Sequence, residues 1–389
     1  MLVYTSITNN YLPKARVLAK SVKYFHPNWF FVLILSDLEP DDFNLENEPF
    51  DEVLHISQLG IPDWKSWAFG HKLVELCTAV KGPAAELLMK RSSVKKIMYL
   101  DPDIKVFNSL ESLDQLLESK DILLTPHLLH IESEIDAISD NEISALKHGV
   151  YNLGFFAVNT SSSQGAEFIN WWSSRLKYFC RDDIPNGLFT DQRWCDLAPA
   201  FFSNLHIIRD PGYNVATWNI PHRLLLKDKS GAYFVGNVPL RFYHFTSYDN
   251  GNGLGMLMKY ASNQSIAHEL WDAYGKELIN EGHGDLRYQE WSYGQFNNSE
   301  TIPPEARRLY QTRSDLQKEF PNPYSVMEPC FLSWWINDNQ KTKEPRKHLE
   351  HSPQRFLSPS YVFSLSKLVI QVFRREGISG LYRRISKYL

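Results

Sequence analysis

The sequence predicts an α/β fold, a sheet of mostly parallel strands flanked by helices, and three observations lead there. The first 40 residues alternate strand, helix and strand, and the alternation resumes beyond residue 90. The apolar run "KKIMYL" stops at two carboxylates, Asp101 and Asp103, separated by one proline. Buried parallel strands read as near-continuous apolar runs, and open α/β sheets gather ligands at the carboxyl ends of such strands.

In chain order, "MLVYTSI" reads as strand, "LPKARVLAKSVKYF" as helix and "WFFVLILSD" as strand, the opening of a βαβ unit. An irregular acidic stretch follows to about Gly60. A helical region is expected from Trp64 to Lys90, broken at Gly82-Pro83, and leads into the strand that ends at Asp101. "SLESLDQLLES" reads as helix, "DILLTP" and "YNLGFFAVN" as strands, and "AEFINWWSSRLKYF" carries apolar positions at helical spacing. "NLHIIRD" and "VPLRFYHFT" are late strands, and "DNGNGLGM" is expected as a loop. The expected organisation is a main domain over 1–260, a helical and irregular extension over 261–340 rich in Pro, Trp and Arg, and a basic tail over 341–389. No internal repeat of solenoid length is visible.

With 43% hydrophobic residues among 389, the chain can bury a sizeable core, yet no apolar run reaches the roughly 18 residues of a membrane span. The net charge of -4 argues against nucleic acid as a partner, but it is unevenly distributed. Residues 341–389 carry 11 Lys and Arg against 3 Asp and Glu, leaving 30 against 42 in the rest. Within that tail, the apolar stretch Tyr361 to Phe373 precedes Arg374, Arg375, Arg383, Arg384 and Lys387. Such a segment suits an anionic membrane surface, or packs its apolar face on the main domain with its arginines solvated; Gly377 and Gly380 would interrupt a continuous interfacial helix. The four cysteines lie far apart without metal-ligand spacing, and the start lacks the pattern of a signal peptide. A reduced, cytoplasmic setting is expected, peripheral on the inner membrane face if the tail binds lipid. The sequon at Asn159 then carries no meaning.

Two carboxylates at a strand end suit a hard divalent cation, Mg²⁺ or Mn²⁺, whose remaining positions can take phosphate oxygens. In extended backbone, residues two apart share a face, so both could reach one ion. A loop of solvated acids is the plain alternative, and the preceding strand weighs against it. Haloacid-dehalogenase-type phosphatases also place this pattern after a strand. They call for Thr or Val where this chain has Lys105, and carry the motif near the start rather than about 100 residues in.

"YLDPDIKVF", taken in order with "YTSITNNYLPKARVLAKSV", "ELCTAVKG", "GVYNLGFFAVN", "TDQRWCDLAP" and "YHFTSYDNG", resembles the nucleotide-sugar-dependent glycosyltransferases of the A-type fold, and among them family 8. The resemblance covers about residues 1–255. It implies a Rossmann-like mixed sheet flanked by helices with a helical C-terminal extension. It also implies Asp101, Asp103 and His244 as metal ligands, with Asp101 shared with the donor. Thr5, Asn10 and Tyr11, just past the first strand, would grip base and ribose, although an N-cap and a packed tyrosine account for them equally. Lys81 would meet the donor, or stand solvated near a helix end. Asn152 and Gly154 would line the sugar pocket, where Leu153 replaces the family's small residue.

By the same resemblance Asp191 and Gln192 are the catalytic candidates, Asp191 also being placed to cap "DQRWCDLA". The family's diphosphate-contacting lysine after the histidine has no counterpart nearer than Lys259, and "GNGLG" lacks the context of a dinucleotide loop. Trp171-Trp172 and Trp334-Trp335 are read as core and surface residues before acceptor platforms. The implied activity is metal-dependent hexosyl transfer, with retention, from a nucleoside diphosphate sugar, first a UDP-sugar. A glycan or lipid-linked glycan acceptor is suggested by "ARRLYQTRSDLQKEFPNPY", which resembles segments of bacterial polysaccharide-assembly transferases. A metal-dependent nucleotidyltransferase or phosphatase, and a non-catalytic sugar-nucleotide-binding scaffold, are the alternatives.

Overall fold

The computed structural model describes residues 1–40 and 42–343. The chain divides into a compact unit, Met1–Trp335, and a second, Ile336–Leu389. The apolar and basic segment from Tyr361 onward lies outside the described residues.

Strands β1 (Leu2–Ile7), β2 (Phe30–Leu35) and β3 (Glu52–His55) run parallel, and β4 (Lys96–Leu100) joins the other edge of β1 in the same direction. The short β5 (Ile104–Val106) leaves this sheet. β6 (Ile122–Pro126) and β7 (Tyr151–Asn159) follow, and β7 is antiparallel to both β4 and β6. With strand Leu205–Ile207 on the outer edge, the order is Leu205–Ile207, β6, β7, β4, β1, β2, β3. It is therefore a mixed sheet of seven strands, reversed only at β7.

The strands are apolar on both faces because both faces are covered. Tyr4, Ile34, Tyr99 and Phe156 point to the side packed by Trp172 and Leu176, whereas their neighbours Val3, Leu33, Met98 and Ala157 point to the side packed by Leu18 and Leu113. Helices Lys81–Met89 and Ser163–Phe179 lie close: a Cβ at Gly82 would come within 2.7 Å of the Ser173 Cα. Trp172 is wholly buried there and Trp171 packs on Phe201 and Phe202.

Three expectations need correction. The helical region from Trp64 does not break at Gly82-Pro83; it is three helices, Trp64–Phe69, Leu73–Ala79 and Lys81–Met89. Pro83 falls in the first turn, where a missing N–H costs nothing. "DNGNGLGM" is a loop only to Gly251, whose φ of +77° precedes helix Asn252–Ala261. "VPLRFYHFT" splits, because Val238–Pro239 closes a small three-stranded sheet while Phe242–His244 pairs antiparallel with β5.

From residue 261 to Trp335 the chain continues the same compact unit. The Phe69 ring is met by Phe296, Tyr310, Tyr324 and Phe331. Buried Arg307 donates to the carbonyls of Phe69, His71 and Tyr293 at 3.0, 3.1 and 2.6 Å. Trp334 and Trp335 are partly buried against this cluster. No helix among the described residues is long and apolar enough to cross a membrane.

Candidate active site

The carboxyl end of β4 passes into a tight turn, with the Ile104 N–H donating to the Asp101 carbonyl at 3.0 Å. Asp at the first position and Pro at the second are the residues such a turn favours. The carboxylates of Asp101 and Asp103 thus converge by a turn, not by the extended backbone that the spacing suggested. β5 then pairs with Phe242–His244 in the register His244 to Ile104, which sets the imidazole beside Asp103. His244 Nε2 lies 3.0 Å from Asp103 Oδ1 and 3.7 Å from Asp101 Oδ2.

Two carboxylates and an imidazole, each offering an atom within 4.8 Å of the others, could hold a divalent cation. The donor set fits Mn²⁺ or Mg²⁺, which accept oxygen ligands, with the nitrogen favouring the former. Gly154 on β7 leaves room for the cluster: a Cβ there would meet His244 Cε1 at 2.6 Å, Asn152 Oδ1 at 2.7 Å and Asp101 Oδ2 at 2.9 Å. Burial alone would push the Asp103 carboxyl up, but His244 and Lys14 outweigh it and hold it below the usual carboxylate range. Burial likewise opposes the charged form of His244, and Asp103 overrides that, raising the imidazole.

Lys81 is buried, not solvated as one reading allowed. Its ammonium lies 3.1 Å from Asp101 Oδ1 and 2.9 Å from Asp191 Oδ2, and 4.3 Å from the centre of the Tyr99 ring. It also donates to the Leu153 carbonyl at 3.2 Å. Burial lowers the Lys81 pKa, yet the two carboxylates raise it further, so the group stays cationic. Burial pushes Asp191 up, with Lys81 opposing. Asp191 does not cap: the short helix Arg193–Leu197 begins after Gln192, and no side chain caps it. Its carboxylate is directed to Lys81, while its carbonyl accepts from the Trp172 indole at 3.0 Å.

These groups line one cavity of about 510 Å³, open to solvent at the ends of β4 and β7. It brings together Lys81, Asp101, Asp103 and His244 with Asn152, Gly154, Asp191 and Gln192. Gln192 donates to the His148 carbonyl at 3.0 Å. At the rim Lys259 pairs with Asp140 at 2.6 Å.

Thr5, Asn10 and Tyr11 are not among the residues lining this cavity. Thr5 lies within β1 rather than past it, fully buried beside Leu33. Asn10 accepts from the Thr8 hydroxyl at 2.6 Å, and the Tyr11 ring lies 3.9 Å below the buried ammonium of Lys14. Lys14, which the sequence reading missed, is in turn held by Asp249 at 2.5 Å. Tyr99 was missed too, although it lies two residues before Asp101 and shares its face; its hydroxyl donates to Asp101 Oδ1 at 2.7 Å. His127 and Trp218 complete the wall, and nothing in their local sequence marks them.

No family model matches the chain. Among curated proteins it is similar to two from Bacillus subtilis (strain 168). The uncharacterized protein YfnF is 27% identical over 172 residues, covering 42% of this chain and 52% of that protein. The uncharacterized protein YfnD is 28% identical over 102 residues, covering 26% and 32%. The chain thus spans about half the length, or less, of the curated relatives it matches. Among solved structures it is similar to the galactosyltransferase LgtC in complex with donor and acceptor sugar analogues, at 16% identity and TM-score 0.44, covering 72% of this chain and 96% of that one. The glycosyltransferase GlyE of Streptococcus pneumoniae TIGR4 follows at 16% and TM-score 0.42, covering 76% and 66%. Mouse xyloside xylosyltransferase 1 follows at 16% and TM-score 0.38, covering 63% and 97%. Each of these solved structures to which the chain is similar is a glycosyltransferase.

Proposed function

We propose that the chain is a metal-dependent glycosyltransferase that moves a sugar from a nucleoside diphosphate sugar, first a UDP-sugar, to a glycan or lipid-linked glycan acceptor with retention of configuration. The observation that carries this reading is the meeting of Asp101, Asp103 and His244 in a cavity that also holds the Lys81–Asp191 pair. Asp101, Asp103 and His244 would hold Mn²⁺ or Mg²⁺, and such an ion supplies neutralisation of the diphosphate charge that grows as the donor bond breaks.

This chain's own residues do the rest. Lys81 fixes Asp101 for the cation and Asp191 for the sugar through one buried ammonium. Asn152, Asp191 and Gln192 supply polar groups to orient the transferred sugar, and Gly154, beside them in the cavity, leaves room for His244 and Asp101 to converge. In the transfer, the bond between the anomeric carbon and the donor phosphate oxygen breaks, and its electron pair leaves with the nucleoside diphosphate. The acceptor hydroxyl oxygen bonds to that carbon from the same face, and its proton passes to the departing phosphate. No strong base on the acceptor side is required by this route; Asp191 as general base would instead give inversion.

The test is a panel of nucleotide sugars supplied to the purified chain with Mn²⁺ and candidate glycan acceptors, followed by NMR assignment of the product anomer. Release of nucleoside diphosphate with a retained product is expected. Pyrophosphate release would indicate nucleotidyl transfer, and an inverted product would overturn the stereochemical part. The basic segment from Tyr361 onward is proposed to bring the enzyme to an anionic membrane surface, where a lipid-linked acceptor would reside.

A further inference from the structure

Asn152 stands between two histidines, and the direction of its amide fixes the proton on each. Its Oδ1 accepts from the Gly154 backbone N–H at 3.2 Å, a donor that cannot reverse, so the oxygen must face that way. The same oxygen lies 3.2 Å from His244 Nδ1, which therefore carries a proton. With its proton on Nδ1, His244 has Nε2 as the nitrogen that faces Asp103 and Asp101 and could ligate a cation held with them. The other end of the amide, Nδ2, lies 3.1 Å from His127 Nε2 and can only donate, so that nitrogen is unprotonated. The His127 proton then sits on Nδ1, 3.3 Å from the Val150 carbonyl.

His127 is itself held in place. It follows β6 directly, its backbone N–H donates to the Val150 carbonyl at 3.0 Å, and its carbonyl accepts from the Trp218 indole at 3.0 Å and the Asn219 amide at 3.3 Å. Asn152 is the second residue of β7, so the bond between His127 and Asn152 ties the ends of two neighbouring strands where they line the cavity.

We propose that His127 is a positioning residue for the cation site: by accepting from Asn152 Nδ2 it anchors the end of the amide that the Gly154 N–H leaves free, and through the amide it steadies His244 with Nε2 facing Asp101 and Asp103. This rests on the reading of Asp101, Asp103 and His244 as cation ligands. A group that orients a ligating histidine contributes to affinity without touching the ion, and losing such a partner costs about 10- to 100-fold.

The experiment is Mn²⁺ binding to the full chain, read by loss of the free-ion electron paramagnetic resonance signal, for the parent protein and for His244→Ala, His127→Phe, His127→Ala and His127→Gln. The parent must bind, and His244→Ala must weaken it; failure there defeats the cation reading itself. With that reading intact, His127→Phe is expected to weaken Mn²⁺ by about 10-fold or more at an unchanged melting temperature. His127→Gln, whose side-chain oxygen can accept from Asn152, is expected to stay within about threefold of the parent, because it restores the acceptor that the partner-loss effect removes. His127→Ala carries the same expectation as His127→Phe should the larger ring prevent folding. Parent-like affinity in folded His127→Phe or His127→Ala, or affinity in His127→Gln as weak as in these, would overturn the proposal.

Discussion

The ammonium of Lys81 lies 2.9 Å from Asp191, both side chains being almost wholly buried, and it reaches Asp101 at 3.1 Å on its other side. One cation therefore serves two carboxylates that enter the cavity from different parts of the chain. Breaking a buried pair by removing one partner leaves an uncompensated charge and costs about 3–5 kcal/mol. Lys81→Met is expected to lose stability of that order in urea unfolding at neutral pH, along with activity. A loss below about 1 kcal/mol would place it with exposed ion pairs and show the bridge to be weak.

Gly154→Ala tests how tightly the site is packed. Its new methyl would press on His244, Asn152 and Asp101 within 2.6–2.9 Å, so at least one must move. Turnover and Mn²⁺ affinity should each fall by about 10-fold or more, since displacing a ligand or its orienting partner costs that much. Gly255→Ala is the control: the position is exposed in helix Asn252–Ala261 with nothing within 4 Å of the added carbon. It should leave activity unchanged and stabilise the fold by about 0.5–1 kcal/mol.

Acid should weaken the fold through His71. This buried ring donates Nδ1–H to the Trp67 carbonyl at 2.8 Å, and burial pushes its pKa down from 6.5 to about 4. Between those values the unfolded chain takes up a proton that the folded chain refuses, so stability is full above pH 6.5 and falls as pH drops toward 4. At pH 5 the loss from this residue is about 2 kcal/mol relative to pH 7. Urea unfolding of the parent and His71→Gln at both pH values should show that difference; parallel pH dependence in the two would contradict it.

The tail is tested by vesicle sedimentation. Five Lys and Arg groups following the apolar stretch would contribute roughly 5 kcal/mol at an anionic surface before screening, at about 1 kcal/mol each. The full chain should pellet with anionic vesicles, not with neutral ones, and should be released by salt. A chain ending at Pro359 should stay in solution. Equal behaviour of the two would remove the membrane from the proposal.

What was legible in the sequence was whatever rests on local pattern. The apolar runs of β1, β2 and β4 name their own strands, and Asp101 announces itself by ending one of them. Period-two alternation would also have found Tyr99, had it been followed backward from Asp101. Turn chemistry was present in Asp101-Pro102 and was read as extended chain. The pairing of Lys81 with Asp191 is a different matter: the residues lie far apart in sequence, and Asp191 is held near Lys81 through its carbonyl by Trp172, on the helix Ser163–Phe179 that packs against Lys81–Met89. Thr5 was set past the first strand although the run "MLVYTSI" already carries that strand to Ile7, as the register with β2 shows. His127 carries no local signal, since its role depends on a neighbour across two strands.

The central claim is that Asp101, Asp103 and His244 hold the cation on which sugar transfer depends. The most direct measurement is nucleoside diphosphate release from the accepted donor after chelator treatment, before and after Mn²⁺ is restored, in the parent and in Asp103→Asn. The account predicts that chelator stops release, that Mn²⁺ restores it in the parent alone, and that Asp103→Asn melts at the parent's temperature while remaining inactive. Full release in chelator, or an Asp103→Asn protein as active as the parent, would contradict it.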